Sequence, residues 1–197
     1  LFELSQRNMK KDYVQVDPVI AKAVEILQKA SANDGGLTGV PTGYVKLDEK
    51  TSGWQSSDLV IIAGRPAMGK TSFALSLAKN IAVDYHVPIA FFSLEMNNVQ
   101  LVNRLISNVC EIPGNKMLNG QLTPDEWDRL DKRIGNLQGA PLYIDDTPGL
   151  SIFELRTKAR RLVKEKGVKI LMIDYLQLMN ANGMKFGSRQ EEVSKIS

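Results

Sequence analysis

A glycine-rich octapeptide, set between an apolar run and a helical pattern, constrains this chain more than any other feature. Residues 64–71 read Gly-Arg-Pro-Ala-Met-Gly-Lys-Thr and match the pattern G-x-x-x-x-G-K-[ST] in full. The preceding residues 59–63 are apolar and rich in valine and isoleucine, which predicts a buried strand. Residues 72–84 carry apolar side chains at helical spacing. A strand, this loop and a helix in that order predict a P-loop.

The residue types of the loop suit a nucleoside triphosphate. Small residues let the backbone wrap around a phosphate, and the loop N–H groups and the following helix start then face the anion. Lys70 adds a full positive charge at the β- and γ-phosphates, and the Thr71 hydroxyl is suited to Mg²⁺. The predicted nucleotide-binding residues are Gly64, Arg65, Pro66, Ala67, Met68, Gly69, Lys70, Thr71 and Ser72. The chain is therefore predicted to bind ATP and Mg²⁺.

Carboxylates at strand ends are the second element of such a site. Asp174 ends the apolar run 168–174 and is predicted to be the second Mg²⁺ anchor, because ligands bind at the carboxyl edge of open α/β sheets. Asp145 and Asp146 end another strand and compete for this role, but a turn-like sequence follows them. Glu95 follows the run 89–93; from the residues alone it is equally a catalytic carboxylate or an acid in the first turn of a helix.

The rest of the chain alternates between the two periodicities of strands and helices. Strands are predicted at 89–93, 142–145 and 168–174, and helices at 97–110, 123–139 and 151–166. This alternation predicts an α/β fold, a mostly parallel sheet with helices on both faces. In the helix 97–110 the predicted apolar side consists of Val99, Val102, Leu105, Ile106 and Val109.

An amphipathic helix is predicted to precede this domain. It begins at Asp17-Pro18 and stops before residues 33–36, and its apolar face needs cover from its own domain or from a neighbouring subunit. We expect residues 1–36 to be a linker and docking helix, and residues 37–197 to be the N-terminal portion of the ATPase domain. Since the chain starts at Leu1 and ends within a predicted helix, we expect a fragment of a longer protein.

Composition excludes several classes of protein. The 197 residues carry a net charge of +3, which is too mild to indicate nucleic-acid binding by itself. No segment approaches the roughly 20 apolar residues of a membrane helix. The single cysteine, Cys110, cannot form an internal disulfide and fits a reducing cytoplasm, and we expect it to be buried.

Several motifs together resemble the motor domain of bacterial replicative DNA helicases of the DnaB type. They are GRPAMGKT at 64–71, FFSLEM at 91–96 and ILMIDYLQLM at 170–179, with the approach to the P-loop at 39–54, the segment 154–161 and the closing segment 188–193. The resemblance covers nearly the whole chain from about residue 14. It implies a RecA-like ATPase core that assembles as a hexamer around single-stranded DNA.

The resemblance also assigns roles at matching positions. It implies that Lys70 and Thr71 hold phosphates and Mg²⁺, that Asp174 is the second metal anchor and that Glu95 is the catalytic carboxylate. Gln177 either senses the nucleotide or couples it to DNA, or it is only a polar residue at a strand exit. The resemblance also implies a primase and a helicase loader as partners.

Some parts of the family pattern are expected to lie beyond this chain. They are an N-terminal domain, a sensor strand between the P-loop strand and the Asp174 strand, an arginine finger and most DNA-gripping loops. We therefore expect the chain alone to bind nucleotide and to hydrolyse it poorly, since an arginine finger is worth about 10³–10⁵ in rate.

Two basic regions leave their roles open. The segment 180–188 is either a solvated loop or a loop that faces DNA. In the second case Lys185, or Arg189 just beyond the segment, would lie near a DNA phosphate. The basic residues between 156 and 166 form either a solvated helix face or a subunit contact.

Alternative functions are a RecA-like ATPase of recombinase or clock type, and a nucleotide-gated helicase-loading module. The presence of both Glu95 and Asp174 favours turnover over binding alone.

Overall fold

Strands and helices alternate along the chain. The computed structural model describes residues 15–32, 37–176 and 179. The helices are α1 (Val16–Ala32), α2 (Val45–Thr51), α3 (Lys70–Lys79), α4 (Asn98–Cys110), α5 (Gly114–Asn119), α6 (Pro124–Ile134) and α7 (Ile152–Lys166). The strands are β1 (Ile89–Ser93), β2 (Leu142–Asp145) and β3 (Ile170–Asp174), and a π-helix, Asn80–Asp84, continues α3. From β1 onwards the predicted order is confirmed, with the short helix α5 as an addition.

The sheet of the described residues is parallel, with the order β2-β1-β3. The register pairs Ile89 of β1 with Leu142 on one side and with Ile170 on the other. All five residues of β1 are buried, which explains why this strand is apolar almost throughout instead of alternating. The carboxyl ends of the three strands therefore lie at one edge of the sheet.

Each face of β1 packs against a different set of helices. Ile89 and Phe91 point to one face, where they join buried residues of α3 and α4. Ala90 and Phe92 point to the other face, where Leu155 and other apolar residues of α7 cover them. The sheet thus has a core on both faces, as the period-2 alternation of side chains along a strand requires.

Local signals set several helix starts. Thr123 and Ser151 form capping boxes with the glutamates three residues later, Glu126 and Glu154. Asn97 forms a further box with Gln100 at the start of α4. The predicted continuation of the helix at 123–139 is wrong at its end, because α6 stops at Ile134 and turns follow to Gly139.

A buried carboxylate organises the segment before the P-loop. Asp48 Oδ1 accepts hydrogen bonds from Thr42 N and Thr42 Oγ1, both at 2.8 Å, and its Oδ2 accepts one from Gly43 N. A bridge between Val40 and Trp54 closes the same segment. Asp48 therefore holds α2 against the chain that leads into it, which the sequence analysis did not predict.

The predicted buried strand at residues 59–63 is wrong. This segment is not part of the described sheet, and Leu59 and Ile61 are 79% and 75% exposed. A strand needs a neighbour to bond its N–H and C=O groups. Among the described residues, β3 has no second partner and no strand lies beside residues 59–63. The apolar composition of the run was therefore insufficient to specify pairing.

The predicted apolar side of α4 is partly wrong as well. Val99 and Val102 are exposed, whereas Leu101, Leu105 and Cys110 are buried. The apolar surface of α4 is wider than the part of the helix that packs against the core. The sequence pattern alone therefore did not decide which apolar residues face inwards. The predicted burial of Cys110 is confirmed, and burial raises the pKa of its thiol.

The apolar face of α1 stays exposed in this structure. Val19, Ile20, Val24 and Leu27 are between 45% and 67% exposed. The predicted helix is confirmed, although it starts one residue before Asp17. Across the described ranges, no helix has the length and apolarity that crossing a bilayer requires.

Leu101→Ala is expected to lower the free energy of unfolding by about 2–5 kcal/mol, because it opens a cavity beside Phe91 and α3. Urea unfolding followed by circular dichroism measures this. The matched control is Leu118→Ala, which truncates a leucine that is 77% exposed and should change stability by less than about 0.5 kcal/mol. Equal losses in the two variants would contradict the described core.

Asp48→Ala is expected to cost about 1–3 kcal/mol of unfolding free energy, because buried donors of Thr42 lose their acceptor. The control is Asp58→Ala, which removes an exposed carboxylate that accepts one bond, from Gln55 N. Thermal unfolding should separate the two variants clearly. A loss no larger than that of Asp58→Ala would show that the Asp48 contacts do not stabilise the segment.

Candidate nucleotide-binding site

The glycine-rich loop leads directly into α3. This helix begins at Lys70, and its N-cap Gly69 has φ 84°, a left-handed conformation that favours glycine. No side chain caps the first turn of α3. The first N–H groups of the helix are therefore left for another acceptor, and the helix dipole makes an anion the favoured one.

Lys70 folds back over the loop. Its Nζ donates a hydrogen bond to the Gly64 carbonyl oxygen at 3.1 Å. Residues 64–69 are exposed, and the Met68 side chain is 74% exposed. A positive charge above an accessible loop is the arrangement that phosphate oxygens need, since they are better acceptors for an ammonium group than peptide oxygens are.

The carboxyl ends of β1 and β3 are joined beyond their last ladder pair. Ser93 lies opposite Asp174 in the register, and Leu94 N then donates to the Asp174 carbonyl oxygen at 2.8 Å. Glu95 follows immediately and its side chain is exposed. The pairing thus brings the two predicted carboxylates, Glu95 and Asp174, to the same edge of the sheet.

Asp174 carries an unusual carboxylate. The residue is 8% exposed, and its Oδ2 is the single buried side-chain nitrogen or oxygen atom without a hydrogen-bond partner in the described part of the chain. Leaving such an atom unbonded costs free energy unless another group binds it. Carboxylate and hydroxyl oxygens are the ligands Mg²⁺ prefers. The donor chemistry of Asp174 therefore fits the predicted cation.

The loop and the sheet edge supply different parts of the predicted site. Among the described residues, no hydrogen bond or ion pair joins the P-loop to Glu95 or Asp174. Nor do these residues contain a cluster of three or more metal-ligating side chains. The described residues therefore form no all-protein cage for a cation.

The turn that carries Glu95 is closely bonded. The buried Ser93 Oγ donates to Met96 O at 2.7 Å and accepts from Met96 N at 3.1 Å. Asn97 then caps α4. These contacts close the turn on both sides of Glu95 and set its local shape.

Asp145 and Asp146, the competitors for the metal role, have other partners. Lys158 Nζ lies 2.7 Å from Asp145 Oδ2 and donates to Thr147 Oγ1 at 2.7 Å. Burial raises the pKa of the Asp145 carboxyl, but the hydrogen bonds from Lys158 and Thr147 lower it by more, so the net pKa lies below the usual value. Asp146 Oδ2 accepts from Asn98 N at 2.9 Å.

Sequence reasoning missed the side chains that support the site. Arg104 of α4 lies with its Nη1 3.5 Å from Ser72 Oγ, in the first turn of α3. Ser93 was not assigned a role, and Lys158 was predicted only as part of a solvated helix face or a subunit contact. These side chains can be recognised only from the tertiary structure, because each of their contacts joins different elements or closes a turn between them. The capping of α4 by Asp146 spans 48 positions.

Some predicted residues lie outside the described ranges. They are Gln177, the segment 180–188 with Lys185, and Arg189. Of the basic residues on α7, Lys158 pairs with Asp145, and Lys166 lies over the ring of Tyr143 at 6.0 Å. The predicted solvated face therefore includes at least one cation with a structural partner.

Comparisons with known proteins identify the family. The family model described as the DnaB-like helicase C terminal domain matches residues 39–197. The chain is 41% identical over 197 residues to the replicative DNA helicase DnaB of Geobacillus stearothermophilus. It is 39% identical over 197 residues to the replicative DNA helicase DnaC of Bacillus subtilis. These matches span 100% of this chain and 43% of each relative, so the chain covers less than half the length of these relatives.

Two solved structures share the fold. A DnaB-like replicative helicase, described with its interactions with primase, superposes with a TM-score of 0.79 at 32% identity, over 99% of this chain and 46% of that chain. A second structure, described as an ATPase domain, superposes with a TM-score of 0.83 at 33% identity, over 94% of this chain and 65% of that chain. The predicted RecA-like α/β fold, with its parallel sheet and helices on both faces, is confirmed by these likenesses.

Sequence and structure agree on the assignment. The motifs that carried the resemblance lie within the matched residues 39–197, and the similarity to the Geobacillus stearothermophilus relative extends over the full length of this chain. This chain belongs to the family of DnaB-like helicase C-terminal domains.

Proposed function

We propose that this chain is the nucleotide-binding part of the ATP-hydrolysing motor of a replicative DNA helicase, and that the complete protein moves 5′-to-3′ along single-stranded DNA. The observation that carries the proposal is the hydrogen bond from Leu94 N to Asp174 O. It holds the turn that bears Glu95 beside a buried carboxylate, at the edge of the sheet where such folds bind ligands. A module that only binds nucleotide has no need of a second carboxylate there.

In this proposal, the P-loop binds the triphosphate. The uncapped N–H groups at the start of α3 donate to phosphate oxygens. Lys70 moves its hydrogen bond from Gly64 O to the β- and γ-phosphates. Ser72 contacts the phosphates from the first turn, with Arg104 beside it. Gln177 is proposed to sense the bound nucleotide.

Thr71 and Asp174 are proposed to hold Mg²⁺ with the phosphates. The unbonded Asp174 Oδ2 supports this assignment, because a buried carboxylate oxygen without a donor is suited to a cation. When bound, Mg²⁺ neutralises charge on the β- and γ-phosphates. Asp145 and Asp146 are not proposed as ligands, since a lysine and a helix N-terminus already occupy them.

Glu95 is the proposed general base. Its carboxylate orients the attacking water and accepts a proton from it as the water oxygen bonds to the γ-phosphorus and the bond to ADP breaks. The exposed position of Glu95 leaves room for that water. The bonded turn around it keeps the carboxylate in one place, which the in-line geometry of phosphoryl transfer requires.

The complete protein is proposed to be a homo-hexamer in the cytoplasm that encircles single-stranded DNA. The exposed apolar residues of α1 support a subunit contact, because water disfavours such a surface. Residues 1–36 are then the linker and docking helix, and residues 37–197 belong to the ATPase domain. Primase and a helicase loader are the proposed protein partners.

Lys70→Ala is expected to weaken binding of a Mg²⁺-bound, non-hydrolysable ATP analogue at least about tenfold. The lost charge-assisted hydrogen bonds are worth roughly 1.5–3 kcal/mol, and a tenfold change corresponds to about 1.4 kcal/mol. Titration calorimetry on this chain measures the affinity. Lys79→Ala, at the other end of α3, is the matched control and should bind like the wild type. Equal affinity of the two variants would refute the assigned role of Lys70.

Glu95→Gln is expected to lower kcat for ATP hydrolysis by about 10²–10⁴ while analogue binding persists, because the amide cannot accept the proton. The assay uses the complete protein that carries this chain, with and without single-stranded DNA. Glu49→Gln, an exposed glutamate on α2, is the control and should keep the wild-type rate.

The same assay tests the helicase proposal against its alternatives. A motor should hydrolyse ATP faster with single-stranded DNA and should separate a forked duplex. An ATP hydrolysis rate that single-stranded DNA does not change, together with no strand separation, would instead favour a helicase-loading module. DNA-stimulated hydrolysis without strand separation would favour a recombinase-type ATPase.

A further inference from the structure

The turn after the central strand is tied to both neighbouring strands. On one side, Leu94 N donates to Asp174 O at the end of β3. On the other side, Asn98 N donates to Asp146 Oδ2, in the residue that directly follows β2. Because β1 lies between β2 and β3, the three residues Glu95, Met96 and Asn97 span the end of β1 between two anchors.

The Asp146 anchor is itself held in place. The preceding residue, Asp145, pairs with Lys158 of α7 at 2.7 Å, and Lys158 also donates to Thr147 Oγ1. Thr147 N donates in turn to Asp145 Oδ1 at 3.1 Å. The residues on both sides of Asp146 are thus bonded to a helix that packs on the sheet, which leaves Asp146 little freedom to follow a moving turn.

Local capping of α4 does not explain the Asp146 contact. Asn97 and Gln100 already form a capping box, in which each side chain accepts from the backbone of the other. The carboxylate of Asp146 adds a bond from a residue 48 positions away. Its specific effect is to fix where the helix start lies relative to the sheet, rather than to make the helix form.

We propose that Asp146 is a positioning residue for the catalytic carboxylate, which holds the turn of Glu95 at the correct place beside Asp174. The inference rests on the proposed role of Glu95. Loss of the anchor lets the first turn of α4 shift, and Glu95 shifts with it. A misplacement of about 1 Å can cost on the order of 100-fold in rate, so a partial shift predicts a loss of roughly 10- to 100-fold.

Asp146→Ala in the complete protein tests the proposal. We expect kcat for DNA-stimulated hydrolysis to fall roughly 10- to 100-fold, with KM and affinity for the Mg²⁺-bound analogue near wild type. Asp146→Asn keeps the shape and one acceptor oxygen, and should restore most of the rate. The rate is divided by the concentration of nucleotide-binding sites, so that unfolded protein does not lower the apparent kcat.

Thr123→Ala is the matched control. It removes a side-chain oxygen that accepts a backbone N–H at the start of α6, the same type of bond at a helix remote from Glu95 in sequence. It should lower the melting temperature without changing kcat per site. If Asp146→Ala behaves in the same way, its role is structural only and the proposal is wrong.

A double variant separates this proposal from the assignment of Glu95. If Asp146 acts through Glu95, adding Asp146→Ala to Glu95→Gln causes no further loss of rate. A full additional loss in that background overturns the positioning role while leaving the proposed function intact. If Glu95→Gln alone keeps the wild-type rate, the general-base assignment fails, and the positioning role fails with it.

Discussion

The parallel pairing of β1 with a strand on each side is the constraint on which the rest of the structure depends. It buries all five residues of β1, and it separates Ile89 and Phe91 on one face from Ala90 and Phe92 on the other, so that helices must cover both faces. It also brings the three carboxyl ends to one edge. The acids that follow the strands meet there because parallel strands share a direction, not because they are close in sequence.

The acids at this edge differ in what their oxygens bond. Asp145 faces Lys158, Asp146 accepts a helix N–H, and Asp174 keeps one buried oxygen without a donor. A buried carboxylate oxygen is stable only if some group compensates its lost hydration. The first two acids therefore have structural partners, and the third has an unbonded oxygen at which we propose a cation. This difference in bonding, rather than residue type, separates their proposed roles.

Much of the fold was predictable because its signals are local. The capping boxes that begin at Thr123 and Ser151 each span four residues, and the apolar run of β1 fits a strand buried on both faces. Residues 59–63 show the limit of this reasoning, since apolar composition cannot supply the neighbour that a strand must bond. The apolar stripe of α4 was similarly too wide to reveal that Leu101, rather than Val102, faces the core.

By itself, the sequence determined the glycine-rich loop before α3, the candidate acids at the strand ends and the alternation that leads to a parallel α/β fold. Each of these follows from residue types at short spacing, where chain geometry leaves few alternatives. Only the tertiary structure decided which acids are already bonded and how the turn of Glu95 is held. Those facts depend on contacts such as the bond between Asp146 and Asn98, 48 positions apart. Strand order and helix packing set such distances, and no local pattern encodes them.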